Sequence, residues 1–413
     1  MSIYSYRENI MKEQTIKLTF VGDIMALLPQ NKVSYNTETK RYNYDPIFEK
    51  IAPILKSADY VIGNLETPIA GEELKYTFHP SVFNTPIEFA EAVKKAGVNF
   101  VSTANNHCLD RGIQGLFNTI DNLNRVNLDF SGTYKTNEEG SKIFIKQIGG
   151  VKIAIVAYTY GTNSEWQNNE LPLDQCFIVD LFRKQDKYVY RGIDYLRPIK
   201  KVAKLLLPRS LQEKLRPVII EDCVVTKHPD DNIYLSRMVE KINIAKEKAD
   251  IVVMYMHTGG QFNSSIGQYT DELTDFISLQ KPNLIIGSHP HCVLKHSFKN
   301  HIFTAFSLGN FCFTPRYGNY HDSVFSEYSV VINTYIDIKS KKITDISYFI
   351  TKVVKDNMGN YVVYHVKDLY KMIAIQERNK LKIDCNKVAA RFFDNVHHDY
   401  DMNKLETYIT KPN

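Results

Sequence analysis

No stretch of this sequence reaches the roughly 18 consecutive apolar residues that a membrane-spanning helix requires. Its first residues, among them Arg7, Glu8, Lys12 and Glu13, lack the apolar centre of a signal peptide, so a cytoplasmic location is the expectation. Cysteine is sparse and scattered: Cys108, Cys176, Cys223, Cys292, Cys312 and Cys385 contain no C-x-x-C pair. That fits reduced thiols better than a disulfide framework or a thiolate zinc site. Cys108 and Cys292 directly follow candidate ligands, and both read as core residues beside a site. A net charge of +5 over 413 residues is too small to call for a polyanionic partner, and no nucleic acid is expected. What remains, 44% hydrophobic and 23% charged residues, describes a globular chain of one elaborated domain or two ordinary ones.

Read in order, the chain repeats one design. Thr15 to Val21 alternates Ile16, Leu18 and Phe20 with Lys17 and Thr19, the period of a half-buried strand, and runs into Gly22-Asp23-Ile24-Met25. Ala58 to Ile62 ends at Gly63-Asn64-Leu65-Glu66, and Asn99 to Thr103 at Ala104-Asn105-Asn106-His107. Val151 to Tyr158 leads to Thr159, Tyr160 and Gly161, and Ile251 to Met256 to His257-Thr258-Gly259-Gly260. The apolar run Asn283 to Ile286 opens into Gly287-Ser288-His289-Pro290-His291, and His301 to Phe306 into Ser307-Leu308-Gly309-Asn310-Phe311. In open α/β sheets ligands gather outside the carboxyl ends of the strands, so these polar groups are expected to converge on one site.

Amphipathic helices are expected between the strands, as parallel or mixed sheets require. Glu88 to Ala96 places Phe89, Ala92, Val93 and Ala96 on one face and stops at Gly97, while Ile113 to Leu123 and Asp231 to Lys248 show similar spacing. Two segments depart from this pattern. About 167–225 reads as an insertion, with eleven Lys or Arg against three Asp or Glu between Arg183 and Arg216, and a short basic amphipathic helix between Pro198 and Pro208. A solvated helix on the domain edge, a lid over an anionic substrate and a peripheral membrane contact are the alternatives for it. Near the end, Tyr328 to Ile338, Ile343 to Val353 and Tyr361 to His365 read as antiparallel strands, Met358-Gly359-Asn360 as a turn, and a helical tail is expected from about Val388. The division expected is a domain over 15–330 interrupted by the insertion, with 331–413 completing or flanking it.

The donors at the strand ends are Asp23, Asn64, Glu66, Asn106, His107, His257, His289 and His291. Imidazole, carboxylate and amide oxygen together suit manganese, iron or zinc better than calcium. The number of donors is enough for two ions, which need a bridging carboxylate and a water between them as nucleophile; Asp23 or Glu66 could bridge.

The ordered set Gly22-Asp23-x-Met25, Asn64-Leu65-Glu66, Asn105-Asn106-His107 with Leu109-Asp110-x-Gly112, His257-x-Gly259, Gly287-x-His289-Pro290-His291 and Ser307-Leu308-Gly309-Asn310-Phe311 resembles the CapA family of capsule and poly-γ-glutamate biosynthesis proteins. That family is similar in turn to the calcineurin-like metallophosphoesterases. The resemblance covers roughly residues 15 to 320 apart from the basic insertion. It implies an α/β fold, a four-layer αββα sandwich with a dinuclear site of two divalent ions. Asp23, Glu66 or Asn64, Asn106, His257, His289 and His291 fall on positions that look like metal ligands, and His107 on the position of the catalytic acid.

A histidine beside a ligating Asn106 is near the metals yet free to protonate a leaving alkoxide. Asp110 is expected either to support it or to cap the helix that begins near Ile113, and Asn310 and Gln261 are expected at the substrate. Met25 stands where metallophosphoesterases place a histidine ligand, and Gln261 where relatives carry Glu, which implies a modified metal position and pocket. The expected function is a metal-dependent hydrolase acting on an anionic small-molecule or polymer phosphoester, linked to capsule or poly-γ-glutamate biosynthesis. The alternatives are a hydrolase or transferase at γ-glutamyl amides, and a non-catalytic polymer-binding accessory protein.

Overall fold

A computed structural model describes residues 14–78, 81–188, 208, 231–313 and 325–410 of the chain. In chain order the strands are β1 (Thr15–Ile24), the small hairpin of β2 (Tyr35–Asn36) and β3 (Arg41–Tyr42), β4 (Tyr60–Leu65), β5 (Phe100–Ser102) and β6 (Asp129–Ser131). There follow β7 (Phe144–Ile148), β8 (Val151–Thr159), β9 (Ile251–His257), β10 (Leu284–Ser288), β11 (His296–Lys299) and β12 (Ile302–Ala305). The last are β13 (Asn310–Cys312), β14 (Tyr328–Asp337), β15 (Lys342–Lys355), β16 (Tyr361–His365) and β17 (Thr407–Tyr408).

Among the described residues these strands form two large sheets. The larger runs β16-β15-β14-β1-β4-β5-β6, with β13 on β1 and β17 on β15; the smaller runs β11-β12-β10-β9-β8-β7. In the larger sheet β1, β4, β5 and β6 are parallel, and in the smaller β8, β9, β10 and β12 are parallel. Parallel neighbours end on the same edge, so the polar ends of these strands are gathered at one edge of each sheet.

The sheets pack face to face because side chains alternate along each strand. Ile153, Ile155 and Ala157 of β8 meet Leu18, Phe20, Ile62 and Ile332 of the larger sheet in the central core. Their neighbours Ala154, Val156 and Tyr158 turn outward, against Met238, Ile242 and Ala245 of the helix Asp231–Lys248 and Leu273 and Ile277 of the helix Gln268–Leu279. The outer face of the larger sheet, with Val21, Val61 and Val101, is covered by Phe89, Val93 and Ala96 of the helix Ile87–Ala96. The result is the four-layer αββα sandwich. Each fully buried Val, Ile or Phe contributes about 1.5–3 kcal/mol relative to leaving it exposed.

Three details differ from or refine the sequence reading. The helical tail begins earlier than Val388: a helix runs over Ile375–Phe393, after a shorter one over Val366–Met372. Its buried residues Leu381, Cys385, Val388, Ala389 and Phe392 keep helical spacing, but Glu377, Arg378, Lys380, Lys382 and Asp384 surround the first of them and mask the stripe. The stretch from Gln167 is packed into the body as far as Gln185, with Leu171, Cys176, Ile178, Leu181, Phe182 and Arg183 buried and Leu181 bridged to Thr159. The basic helix expected between Pro198 and Pro208 lies outside the described residues. The Met358-Gly359-Asn360 turn forms as expected, with Gly359 at φ 93° and the Asp356 carboxylate accepting from the Met358 and Asn360 N–H groups.

Among the described residues no helix is long and apolar enough to cross a membrane. Cys108, Cys176, Cys292, Cys312 and Cys385 are buried free thiols, and Cys223 lies outside the described residues. Burial pushes the thiols of Cys108 and Cys292 up to about 12, so neither offers a thiolate to the adjacent site.

Candidate metal centre

The strand register builds the site. Asp23 on β1 lies opposite Asn64 on β4 and Asn310 on β13, and Ser288 on β10 lies opposite His257, the last residue of β9. The larger sheet thus supplies Asp23, Asn64 and, just past the end of β4, Glu66, while the smaller supplies His257 and the His289–His291 turn. Two glycines allow the approach. A Cβ on Gly22 would stand 1.9 Å from the Gly309 carbonyl oxygen, and one on Gly287 would stand 2.1 Å from that of Phe306. His289 and His291 themselves sit at φ 102° and 55°, a conformation rarely held by residues other than glycine and concentrated at functional sites.

The side chains then converge. One ligand atom from each of Glu66, His257 and His289 lies within 4.8 Å of the other two, and the same holds for Asp23, Glu66 and His291; all are buried. Glu66 belongs to both groups. Its Oε1 is 3.5 Å from His257 Nε2 and 3.5 Å from His291 Nε2. His257 Nε2 is also 2.8 Å from Asn106 Oδ1 and 3.1 Å from His289 Nδ1. Asn64 donates from Nδ2 to Asp23 Oδ1 at 2.8 Å, and the His289 N–H reaches Asp23 Oδ2 at 3.3 Å.

These residues fit divalent cations on two counts. Glu66 Oε1 and His289 Nε2 are buried with no hydrogen-bond partner among the described residues, an arrangement that costs stability unless something completes it. The electrostatics point the same way. Burial, then the neighbouring Asp23 carboxylate, push Glu66 well above the usual carboxylate range, while burial and the adjacent imidazoles push His257 and His289 well below the usual histidine range. Neutral imidazoles beside crowded carboxylates, with no thiolate, are a donor set suited to divalent cations.

His107 stands beside this cluster. Its Nδ1–H donates to Asp110 Oδ2 at 2.8 Å, and its ring packs on Phe83 at 4.2 Å between centroids. Asp110 does not cap the following helix Gly112–Arg125: its carboxylate also accepts from the Phe83 N–H at 2.6 Å and from Gln167 Nε2 at 2.8 Å. Met25 is buried among Leu27, Phe83 and Phe313, a packing role. Asn310 has both ends of its amide engaged, with Oδ1 2.9 Å from His291 Nδ1 and Nδ2 donating to the carbonyls of His291 and Ser326. Gln261 is half-buried, next to Phe262, whose ring lies 5.2 Å from that of His291.

Several residues of the site were not among the ligand candidates read from the sequence. Asn105 donates to the Leu65 carbonyl at 2.8 Å and to Asn64 Oδ1 at 3.3 Å. Asn163 accepts from Asn106 Nδ2 at 3.2 Å, Ser288 Oγ lies 2.9 Å from His257 Nδ1, and the Tyr160 ring packs on His289. Position directly after a strand was the signal available for Tyr160, and Asn163 lies further along the same loop.

Comparison with known proteins gives the following. The family model described as bacterial capsule synthesis protein PGA_cap matches residues 17–315. The PGA biosynthesis protein CapA of Bacillus subtilis (strain 168) is 25% identical over 323 residues, 78% of this chain and 69% of its own length. The capsule biosynthesis protein CapA of Bacillus anthracis is 24% identical over 327 residues, 78% of this chain and 65% of its own length. The chain thus spans about two thirds of the length of these relatives. Among solved structures, a phosphatase from Mycoplasma pneumoniae aligns at 13% identity and a TM-score of 0.39, over 81% of this chain and 93% of that one. A Thermus thermophilus protein, TT1561, aligns at 10% identity and a TM-score of 0.32, over 80% of this chain and 97% of that one.

Proposed function

The chain belongs to the bacterial capsule synthesis protein family PGA_cap, and on that premise we propose that it is a metal-dependent hydrolase cleaving a phosphoester in the making of a capsule or of poly-γ-glutamate. The observation that carries this reading is the sharing of Glu66 between two groups of buried donors. Glu66 with His257 and His289 would hold one divalent ion, and Glu66 with Asp23 and His291 a second, with Asn106 beside the first. Manganese, iron and zinc all suit the donors. Such ions, when bound, supply Lewis acidity for the developing oxyanion and a water of lowered pKa as nucleophile.

The polypeptide does the rest. Asp110 holds Nδ1 of His107, so the proton for the leaving oxygen is carried at Nε2, the free end of the ring. Burial of the cluster excludes bulk water and strengthens each electrostatic contact within it. An anionic substrate, small or polymeric, is proposed because the cations would be its main anchor.

A second reading has support from the name of the Bacillus subtilis relative, a PGA biosynthesis protein: attack at a γ-glutamyl amide carbonyl by the same groups. Metal analysis of the purified protein, combined with turnover of p-nitrophenyl phosphate and bis-p-nitrophenyl phosphate in manganese, separates the readings. About two ions per chain, with turnover lost in His107→Ala, is the expected result for a phosphoesterase. Bound metal without turnover moves the assignment to the amide. Absence of bound metal leaves a non-catalytic platform for an anionic polymer.

A further inference from the structure

The loop that follows β8 contributes a residue to the metal centre that no motif marks. Asn163 lies on the edge where the ligand-bearing strands end, at φ 57°, a left-handed conformation that asparagine enters more readily than other residues with a side chain. Its side chain is buried at 6% exposure. Oδ1 accepts from Asn106 Nδ2, and this turns the Asn106 oxygen toward His257 Nε2. The other end, Nδ2, has no acceptor among the described residues. Asn163 thus carries a buried, unused donor one hydrogen bond away from Asn106, whose own oxygen lies 2.8 Å from His257 Nε2.

The surroundings make this donor stationary. Ser164 Oγ donates to the Asp186 carbonyl at 2.7 Å, and Gln185 Nε2 donates to Thr162 Oγ1. Gln167, on the one-turn helix Ser164–Gln167 that follows Asn163, donates to Asp110, the residue that orients His107. One short segment therefore holds Asn106 on the metal side and Asp110 on the proton-donor side. Tyr160 packs on His289, while a Cβ on Gly161 would meet nothing within 4 Å, so the loop has open space between its anchored ends.

We propose that Asn163 is a substrate-contacting residue, its Nδ2 donating to a non-bridging oxygen of an oxyanion bound at the metal centre. The proposal rests on the hydrolase reading above. A neutral, fixed donor suits a tetrahedral phosphoryl group, because it stabilises the anion without competing with the cations for the carboxylates.

The test is titration of the manganese-loaded full chain with inorganic phosphate by calorimetry, with manganese content measured alongside. Asn163→Asp keeps an acceptor for Asn106 and removes the donor; Asn163→Gly, which the left-handed backbone tolerates, removes both ends. The expected result is that N163D retains manganese at the wild-type stoichiometry but binds phosphate at least about tenfold more weakly, and that N163G loses affinity for both. Phosphate binding by N163D at wild-type strength would overturn the assignment while leaving the hydrolase reading standing. Loss of manganese from N163D would reduce Asn163 to a structural support of Asn106. A manganese-loaded wild-type chain that binds no phosphate overturns the phosphoester reading and this proposal together.

Discussion

Nδ1 of His107 and Oδ2 of Asp110 lie 2.8 Å apart, and the same carboxylate accepts from the Phe83 N–H and from Gln167. Three donors on one carboxylate fix the His107 ring and leave Nε2 as the end turned away from Asp110. In Asp110→Asn the amide oxygen can keep the His107 and Phe83 N–H groups while its NH2 turns to Gln167, so the ring keeps a partner but loses the negative charge that faces Nδ1. Turnover of bis-p-nitrophenyl phosphate is expected to fall about tenfold to a hundredfold, and by roughly 10²–10⁴ in His107→Ala, with metal content unchanged in both. Loss of metal from either variant would show that the pair serves the metal and not the proton.

Glu66 is the residue common to both donor groups. Glu66→Gln should therefore lower occupancy of both positions, whereas His291→Ala should lower one; mass spectrometry of the purified variants reads the difference. Without metal, E66Q should melt no lower than wild type, because it removes a carboxyl whose charge burial and Asp23 disfavour. Chelation should lower the melting temperature of wild type and leave E66Q unmoved.

Gly22 carries Asp23 into place against Gly309, whose carbonyl accepts the Asp23 N–H at 2.9 Å. In Gly22→Ala the methyl would meet that carbonyl oxygen at 1.9 Å and Ser329 Oγ at 3.2 Å. The backbone must move, and a loss of about 3 kcal/mol or more in urea denaturation is expected. Gly161→Ala, where nothing lies within 4 Å, is the control and should stay within about 1 kcal/mol of wild type.

His365 caps the helix Val366–Met372 by accepting the Lys367 N–H at Nδ1, while its Nε2–H donates to the Leu405 carbonyl. This arrangement requires the neutral ring, and burial holds its pKa below the usual histidine value. A depressed folded-state pKa contributes stability that is fully present above the unfolded value, about 6.5, and is lost as pH falls through the folded value. The melting temperature of wild type is expected to decline below about pH 6.5 more steeply than that of His365→Asn. Parallel pH profiles for the two proteins would assign the decline to other groups.

The strands were legible either because apolar residues alternate with polar ones, as in Ile16, Leu18 and Phe20, or because the run is apolar throughout, as from Ile153 to Tyr158. The helix Gln268–Leu279 was not, since its buried face carries Thr270, Thr274 and Ser278 beside Leu273 and Ile277, and hydroxyls blur the periodicity. The ligand candidates were legible for a chemical reason: His, Asp and Glu stand out at the ends of apolar strands. Asn163 and Ser288 did not stand out, because short polar residues at or past a strand end are ordinary and only their partners reveal a role; Asn105 was legible as part of a motif but not as a donor to Leu65 and Asn64.

The sequence by itself determined which donors exist and that each sits at the carboxyl end of a strand, because apolar alternation and the motifs that follow it are local. Only the tertiary structure decided that Glu66 is shared. Asn64 and His257 are 193 residues apart and Asp23 and His289 266 apart, and they meet because two separate sheets, each parallel at its centre, pack with their donor-bearing edges together.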